Sequence, residues 1–166
     1  MNKQGPLALF LDTDPKNTAL LLQRLVLGLV LFPHGAQKLL GWFGGYGFAG
    51  TMGFFTGTMH LPSVIGFLVI VGEFFGSLLL VLGLGTRFAA SSVSAILVGA
   101  VLTTHLQVGF FMNWFGAQQG EGFEFHLLAL ALAVPLVVWG GGRLSADSWL
   151  RDRLPATPAF LEGRLV

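Results

Sequence analysis

Charged positions in this chain are separated by long apolar blocks. No Asp, Glu, Lys or Arg stands between Lys38 and Glu73, between Glu73 and Arg87, between Arg87 and Glu121, or between Glu124 and Arg143. A helix crossing the hydrocarbon of a bilayer needs about 20 mostly apolar residues. Four segments fit that length, 15–40, 61–84, 86–108 and 122–140. The pattern predicts an all-α integral membrane four-helix bundle, a single domain over residues 1–166 with 143–166 as its tail.

Local chemistry marks the ends of these segments. Asp14 is expected to cap the first helix with Pro15 in its first turn, where a missing N–H costs nothing. Gly85 breaks the second helix and Thr86 caps the third, a tight hairpin. Gly140-Gly141-Gly142 ends the fourth, and Ser145 caps a short tail helix carrying Trp149 and Asp152, with Pro155 and Pro158 closing the ordered part. The connection 41–60 is twenty residues without a charge, and within it Phe48, Met52, Phe55 and Met59 recur at helical spacing. It reads as a short interfacial helix, either resting on lipid or serving as a lid over a cavity. The connection 109–120 carries Asn113, Trp114, Gln118 and Gln119 and reads as a polar loop bounded by glycines.

Composition narrows the class. Hydrophobic residues make up 54% and charged ones 10%, too little polar surface for a soluble domain of this size. A net charge of +1 without a basic cluster excludes a nucleic-acid footprint. With no cysteine, thiolate nucleophiles, disulfide exchange, iron–sulfur clusters and Cys-ligated metals are excluded. Asp12, Asp14 and Pro15 interrupt the N-terminus, so it does not read as a signal peptide. Four spans put both termini and the Gly85-Thr86 hairpin on one side. That side holds Lys3, Lys16, Arg87, Arg143, Arg151, Arg153 and Arg164, against Lys38 on the other. By the positive-inside rule both termini are expected in the cytoplasm, and Trp42, Trp114, Trp139 and Trp149 fall at the two interfaces.

Ionisable groups within a bilayer need a partner or a purpose. Arg24 and Glu73 lie at depths a few ångströms apart on a 1.5 Å rise, so an interhelical ion pair is expected, with a functional role favoured for Glu73. His34 and Lys38 stand four apart on one helix face. His105, Glu121 and Glu124 fall at the same outer depth, above Glu73. His126, two positions from Glu124, is expected to face away as a packing histidine. Gly72 and Gly76 form a small-xxx-small pair for close helix contact. Imidazoles and carboxylates at a semi-apolar cavity can exchange protons, and lysine and histidine can hold a carbonyl or oxyanion. That set suits a quinone head group or a small anion. Three histidines on different helices could also ligate haem or a metal, but no spacing selects one and Lys38 repels a cation. A cluster whose charges simply neutralise one another stays open.

Four stretches carry a family likeness: RLVLGLVLFPHGAQKLLGWFGG (24–45), GEFFGSLLLVLGLGTRFAA (72–90), GEGFEFHLL (120–128) and GGGRLSAD (140–147). The chain resembles the DoxX family of small bacterial membrane proteins, which includes the DoxD-type subunit of thiosulfate:quinone oxidoreductase. The recurrent arginine, histidine–glycine and lysine of the first helix fall on Arg24, His34-Gly35 and Lys38. The helix-two glutamate falls on Glu73 and the acidic position of helix four on Glu124, while His105 matches less closely. The resemblance implies a bacterial inner-membrane bundle with a redox association and, for DoxD-type members, a partner subunit. Vitamin K epoxide reductases, also four-helix, need cysteine pairs that this chain lacks. Candidate catalytic residues are therefore His34, Lys38, Glu73, His105 and Glu124, with a quinone as cofactor and no metal. Expected partners are the lipid bilayer, a soluble or membrane redox subunit and a second copy of the chain. The functional expectation is the membrane subunit of a quinone-linked oxidoreductase, in sulfur-compound oxidation if it follows the DoxD type. The alternative is a non-enzymatic anchor or scaffold for a redox or stress-response complex. A small-solute carrier is disfavoured by the absence of an inverted repeat.

Overall fold

The computed structural model describes residues 6–154. Lys3, Pro155, Pro158 and Arg164, to which the sequence assigned roles, lie outside them. Among the described residues there are helices and no strands: α1 (Pro6–Phe10), α2 (Thr18–Leu40), α3 (Gly47–Gly53), α4 (Ser63–Leu82), α5 (Thr86–Ala100), α6 (Glu124–Trp139) and α7 (Ala146–Arg151). Two helices run on into widened turns. Phe54–Thr58 continues α3, with Met59 N–H bonded to Phe54 O at 3.0 Å. Val101–His105 continues α5, with Leu106 N–H on Val101 O at 2.8 Å.

Among the described residues, three helices are long and apolar enough to cross a membrane: α2, α4 and α5 with its extension to His105. The fourth expected span is shorter, since α6 has 16 residues, about 24 Å at the helical rise. Leu27 and Leu31 of α2, Leu80 of α4, Val93 and Leu97 of α5, and Ala133 and Leu136 of α6 share one buried core.

Glycines set the α2–α4 contact. A Cβ on Gly28 would stand 2.8 Å from Ser77 O, and one on Gly35 2.6 Å from Phe74 Cα. The two backbones touch there, so neither position admits a side chain without parting the helices. Arg24, Gly28, Leu31, Gly35 and Lys38 follow one another at steps of four, three, four and three, a single seam facing α4. Gly72 and Gly76 instead face α5, where added Cβ atoms would meet Ile96 at 3.0 Å and Val93 at 3.2 Å.

Two caps differ from those expected. α2 starts at Thr18 because Asn17, not Asp14, accepts the Leu20 N–H at 3.1 Å. α5 has no side-chain cap from its own N-terminus. The Asp147 carboxylate reaches across from α7 and accepts Gly85 N–H at 2.6 Å and Thr86 N–H at 2.8 Å. Ser145 caps α7 as expected, accepting the Ser148 N–H at 3.2 Å.

Candidate functional site

The packed helices have two polar ends. The hairpin end holds the α4–α5 turn, the three-glycine turn after α6, and α7. The loop end holds the two long connections, 41–62 and 106–123.

At the hairpin end, Arg24 is 2% exposed. Its guanidinium has five N–H donors, and all five meet backbone carbonyls. Nε donates to Gly141 O at 3.0 Å, one terminal nitrogen to Leu80 O at 3.3 Å and to Val81 O, and the other to Arg143 O at 3.1 Å and Leu144 O at 2.9 Å. The expected Arg24–Glu73 pair is therefore not formed. Leu80 lies seven residues beyond Glu73, about 10 Å along α4, and the carbonyls freed at the end of that helix match the guanidinium fork. Leu144, at φ 56, takes the left-handed conformation in the turn whose carbonyls face Arg24. Arg87 does the same for α6, donating to Val137 O at 3.0 Å and to Val138 O.

At the loop end, Glu73 pairs with Lys38 instead. The Lys38 Nζ to Glu73 Oε1 distance is 2.9 Å, with side chains 28% and 10% exposed. Gly35 explains the pairing: by letting α2 lie against the Glu73–Phe74 backbone, it brings the next position on the seam within reach. The heptad-like steps from Arg24 to Lys38 carried this signal in the sequence.

Beside this pair lies a cavity of about 660 Å³. Gln37 and Lys38 form one wall, and the connection 41–60 lines the rest with Tyr46, Thr51, Phe54, Phe55 and Thr58. Lys38 is the charged member of the lining. The covering segment is pinned at its start, where Gly45 sits directly on the Gln37 backbone and Gln37 Nε2 donates to Phe43 O at 3.3 Å. Met52 and Phe55 pack on Gly66 of α4, and Phe48 meets Phe67 edge to face at 6.3 Å. Two non-glycine residues with positive φ, Phe43 (53°) and His60 (54°), bracket the segment; such backbone costs about 1–3 kcal/mol and concentrates at clamps and switch regions.

The remaining candidates do not line this cavity. His34 is exposed on α2, and its ring lies 6.3 Å from Phe125. His105 packs against His126 with the rings tilted by 41° and their centroids 4.2 Å apart, and its Nδ1 lies 2.8 Å from Glu121 O. His126 is thus no isolated packing residue but the buried half of a histidine pair, 8% exposed, with Nδ1 lacking a partner among the described residues. The widened turn at Val101–His105 supplies the offset that turns His105 toward α6. Glu124 accepts the Trp114 Nε1–H at 3.2 Å, and Glu121 accepts the Asn113 N–H at 2.6 Å, so both acids order the second connection. Among the described residues, no group of three or more His, Asp or Glu is arranged to hold a metal ion. One expected cluster is therefore two: a lysine–glutamate pair at a cavity, and a histidine pair beside a loop.

The DoxX family model matches residues 19–106, which hold Arg24, Lys38, Glu73 and the whole cover of the cavity. A Bacillus subtilis (strain 168) protein named "Putative oxidoreductase CatD" is 30% identical over 130 residues, 78% of this chain and 85% of that protein. No solved structure matches. The match covers more than half of the chain and includes Arg24, the glycine seam and the lysine–glutamate pair, so the chain belongs to the DoxX family of membrane-associated proteins.

Proposed function

We propose that the protein is the membrane subunit of a quinone-linked oxidoreductase, with the head group of the quinone held in the cavity beside Lys38. The observation that carries this reading is an aromatic-roofed cavity of about 660 Å³ with one ammonium in its wall, anchored by a buried carboxylate. Its size lies within the range of small-molecule sites, roughly 300–1,000 Å³. Lys38 Nζ donates to a quinone carbonyl and gives a proton to the oxygen as it is reduced, Tyr46, Phe54 and Phe55 supply apolar surface, and the Glu73 carboxylate takes up a proton from solvent and returns it to the neutral Lys38 amine. Reduction takes two electrons and two protons, and a quinone site alone has no electron donor. The electrons come from a second protein, for which the loop end and its exposed aromatic residues offer the docking face. The oxidoreductase name of the Bacillus subtilis relative supports the redox class, and oxidation of a sulfur compound is the substrate reading that follows the DoxD resemblance.

In this reading α6 is a fourth, short span of a four-helix bundle in the bacterial inner membrane. Both termini are cytoplasmic, because Lys16, Arg87, Arg143, Arg151 and Arg153 all belong to the hairpin end. The test is mass spectrometry of the lipids and proteins that copurify in mild detergent, paired with thermal shifts on adding quinones. Quinone retained by the wild type and lost in Lys38→Met supports the site. If wild type neither retains a quinone nor shifts with one, the reading fails and the non-enzymatic scaffold replaces it.

A further inference from the structure

Lys38 serves two masters in this structure. Its ammonium lines the cavity and is also the 2.9 Å counter-ion of Glu73, which is 7% exposed. A neutral ligand can accept a hydrogen bond from Lys38 and leave that balance alone. An anion cannot: it would place a second negative charge on an ammonium that already neutralises a buried carboxylate. An uncompensated charge in such surroundings is expensive, and the group neutralises by taking a proton instead.

The charges facing Glu73 narrow where that proton goes. From α2 they are Lys38 and His34, the latter exposed and one position off the seam. The segment before α4 offers no acid or base except Tyr46 and His60, and α5 with its extension offers Arg87, at the hairpin end, and His105, which pairs with His126. Among the described residues no second lysine or arginine stands at this end to neutralise an added anion, and His34 is the imidazole that could compete with Glu73 for the proton.

We propose that the cavity takes acidic ligands with a planar apolar body as an anion plus one proton, the anionic oxygen taking over Lys38 while Glu73 becomes the neutral acid. The proton comes from solvent and goes to a Glu73 carboxylate oxygen; no covalent bond of the ligand is made or broken. The inference rests on the cavity reading above and adds the ligand's charge state and its coupling to proton uptake. A phenolate-like reduced quinone belongs to this class.

Benzoate and its neutral isostere benzamide separate the possibilities. Each is titrated calorimetrically into the detergent-solubilised full chain at neutral pH, in buffers of differing ionisation enthalpy, so that protons bound per ligand are read directly. The expected result is about one proton taken up with benzoate and none with benzamide, since the coupling equals the change in bound protons. Glu73→Gln should abolish the uptake with benzoate while still binding benzamide, which shows the variant is folded. Benzoate bound without a proton in wild type overturns the inference and leaves the cavity standing. Uptake that survives Glu73→Gln but vanishes in His34→Asn also overturns it, by assigning the proton to the imidazole. Binding of neither probe overturns both the inference and the cavity reading.

Discussion

The two polar ends of the molecule bury charge in opposite ways. At the hairpin end Arg24 spends all five donors on main-chain carbonyls, and Asp147 spends its two oxygens on main-chain N–H groups. Neither makes an ion pair. Backbone acceptors carry no net charge and cannot be titrated, so this arrangement is fixed once the helices have formed. At the loop end, Lys38 and Glu73 neutralise each other beside the cavity, and His126 keeps a ring nitrogen without a partner among the described residues. The first end is wired for permanence; the second can exchange partners. The proposed ligand site lies at the second.

The largest effect should come from breaking the hairpin end. Arg24→Met removes the donors of five carbonyls in a buried turn, and stranding several buried polar groups costs on the order of 3–5 kcal/mol or more. The expected outcome is little folded protein, or a melting temperature in detergent lowered by many degrees. Arg24→Lys should rescue little, because an ammonium has three donors and no planar fork. If Arg24→Lys melts like wild type, the guanidinium geometry is not what holds this end. Asp147→Asn is the milder probe of the same lock. It keeps one acceptor oxygen and loses the charge, so about 1–2 kcal/mol is expected, the scale of a lost helix cap. Circular dichroism melts rank the two.

How this lock could have been foreseen bears on what a sequence can tell. Helix positions, the glycine breaks, the Ser145 cap and the short helix under the first connection all follow from local pattern, since helices satisfy their own backbones. Partner choice does not. Arg24 was expected to seek Glu73 because both are charged and similar in depth, yet the decisive acceptors were carbonyls that exist only because α4 and α6 end where they do. The glycine seam was readable, because Gly28 and Gly35 sit seven apart between Arg24 and Lys38. It would have put Lys38, not Arg24, against the middle of α4. The split of the histidines away from the cavity was not readable, since it depends on the widened turn before His105, which has no sequence signature here. Asp147 as a cap for α5, sixty-one positions away from Thr86, is likewise a tertiary fact.

A double-mutant cycle sharpens the loop end of the comparison. Glu73→Gln leaves the Lys38 ammonium without its counter-ion, and Lys38→Met leaves the carboxylate alone. Lys38 is partly open to the cavity, so solvent softens the loss to about 1–2 kcal/mol for each single change. The double variant should lose much less than the sum, a coupling that thermal melts at neutral pH resolve. Arg24 and Glu73 make no contact, and their effects should add, as expected for sites without shared partners. Strong coupling between Arg24 and Glu73, or additivity between Lys38 and Glu73, would reverse the assignment of partners.

The smallest effect is the most diagnostic. With its Nδ1 buried and without a partner among the described residues, His126 contributes a desolvated polar atom and a ring tilted against that of His105. Replacing an unsatisfied polar group by an apolar one of similar size is close to neutral, because the desolvation cost disappears with the group. His126→Leu should therefore change the stability of ligand-free protein by less than about 1 kcal/mol. A loss several times larger would mean that Nδ1 does have a partner in the membrane, a water or a ligand group, and that the loop end holds a second polar site beside the cavity. The two kinds of partner then separate cleanly. A stability loss at His126 that disappears when the protein is stripped of copurified small molecules identifies a ligand contact, whereas one that persists identifies ordered water. If the loss is absent from the start, the histidine pair is packing, and exchangeable charge at this end resides in Lys38 and Glu73.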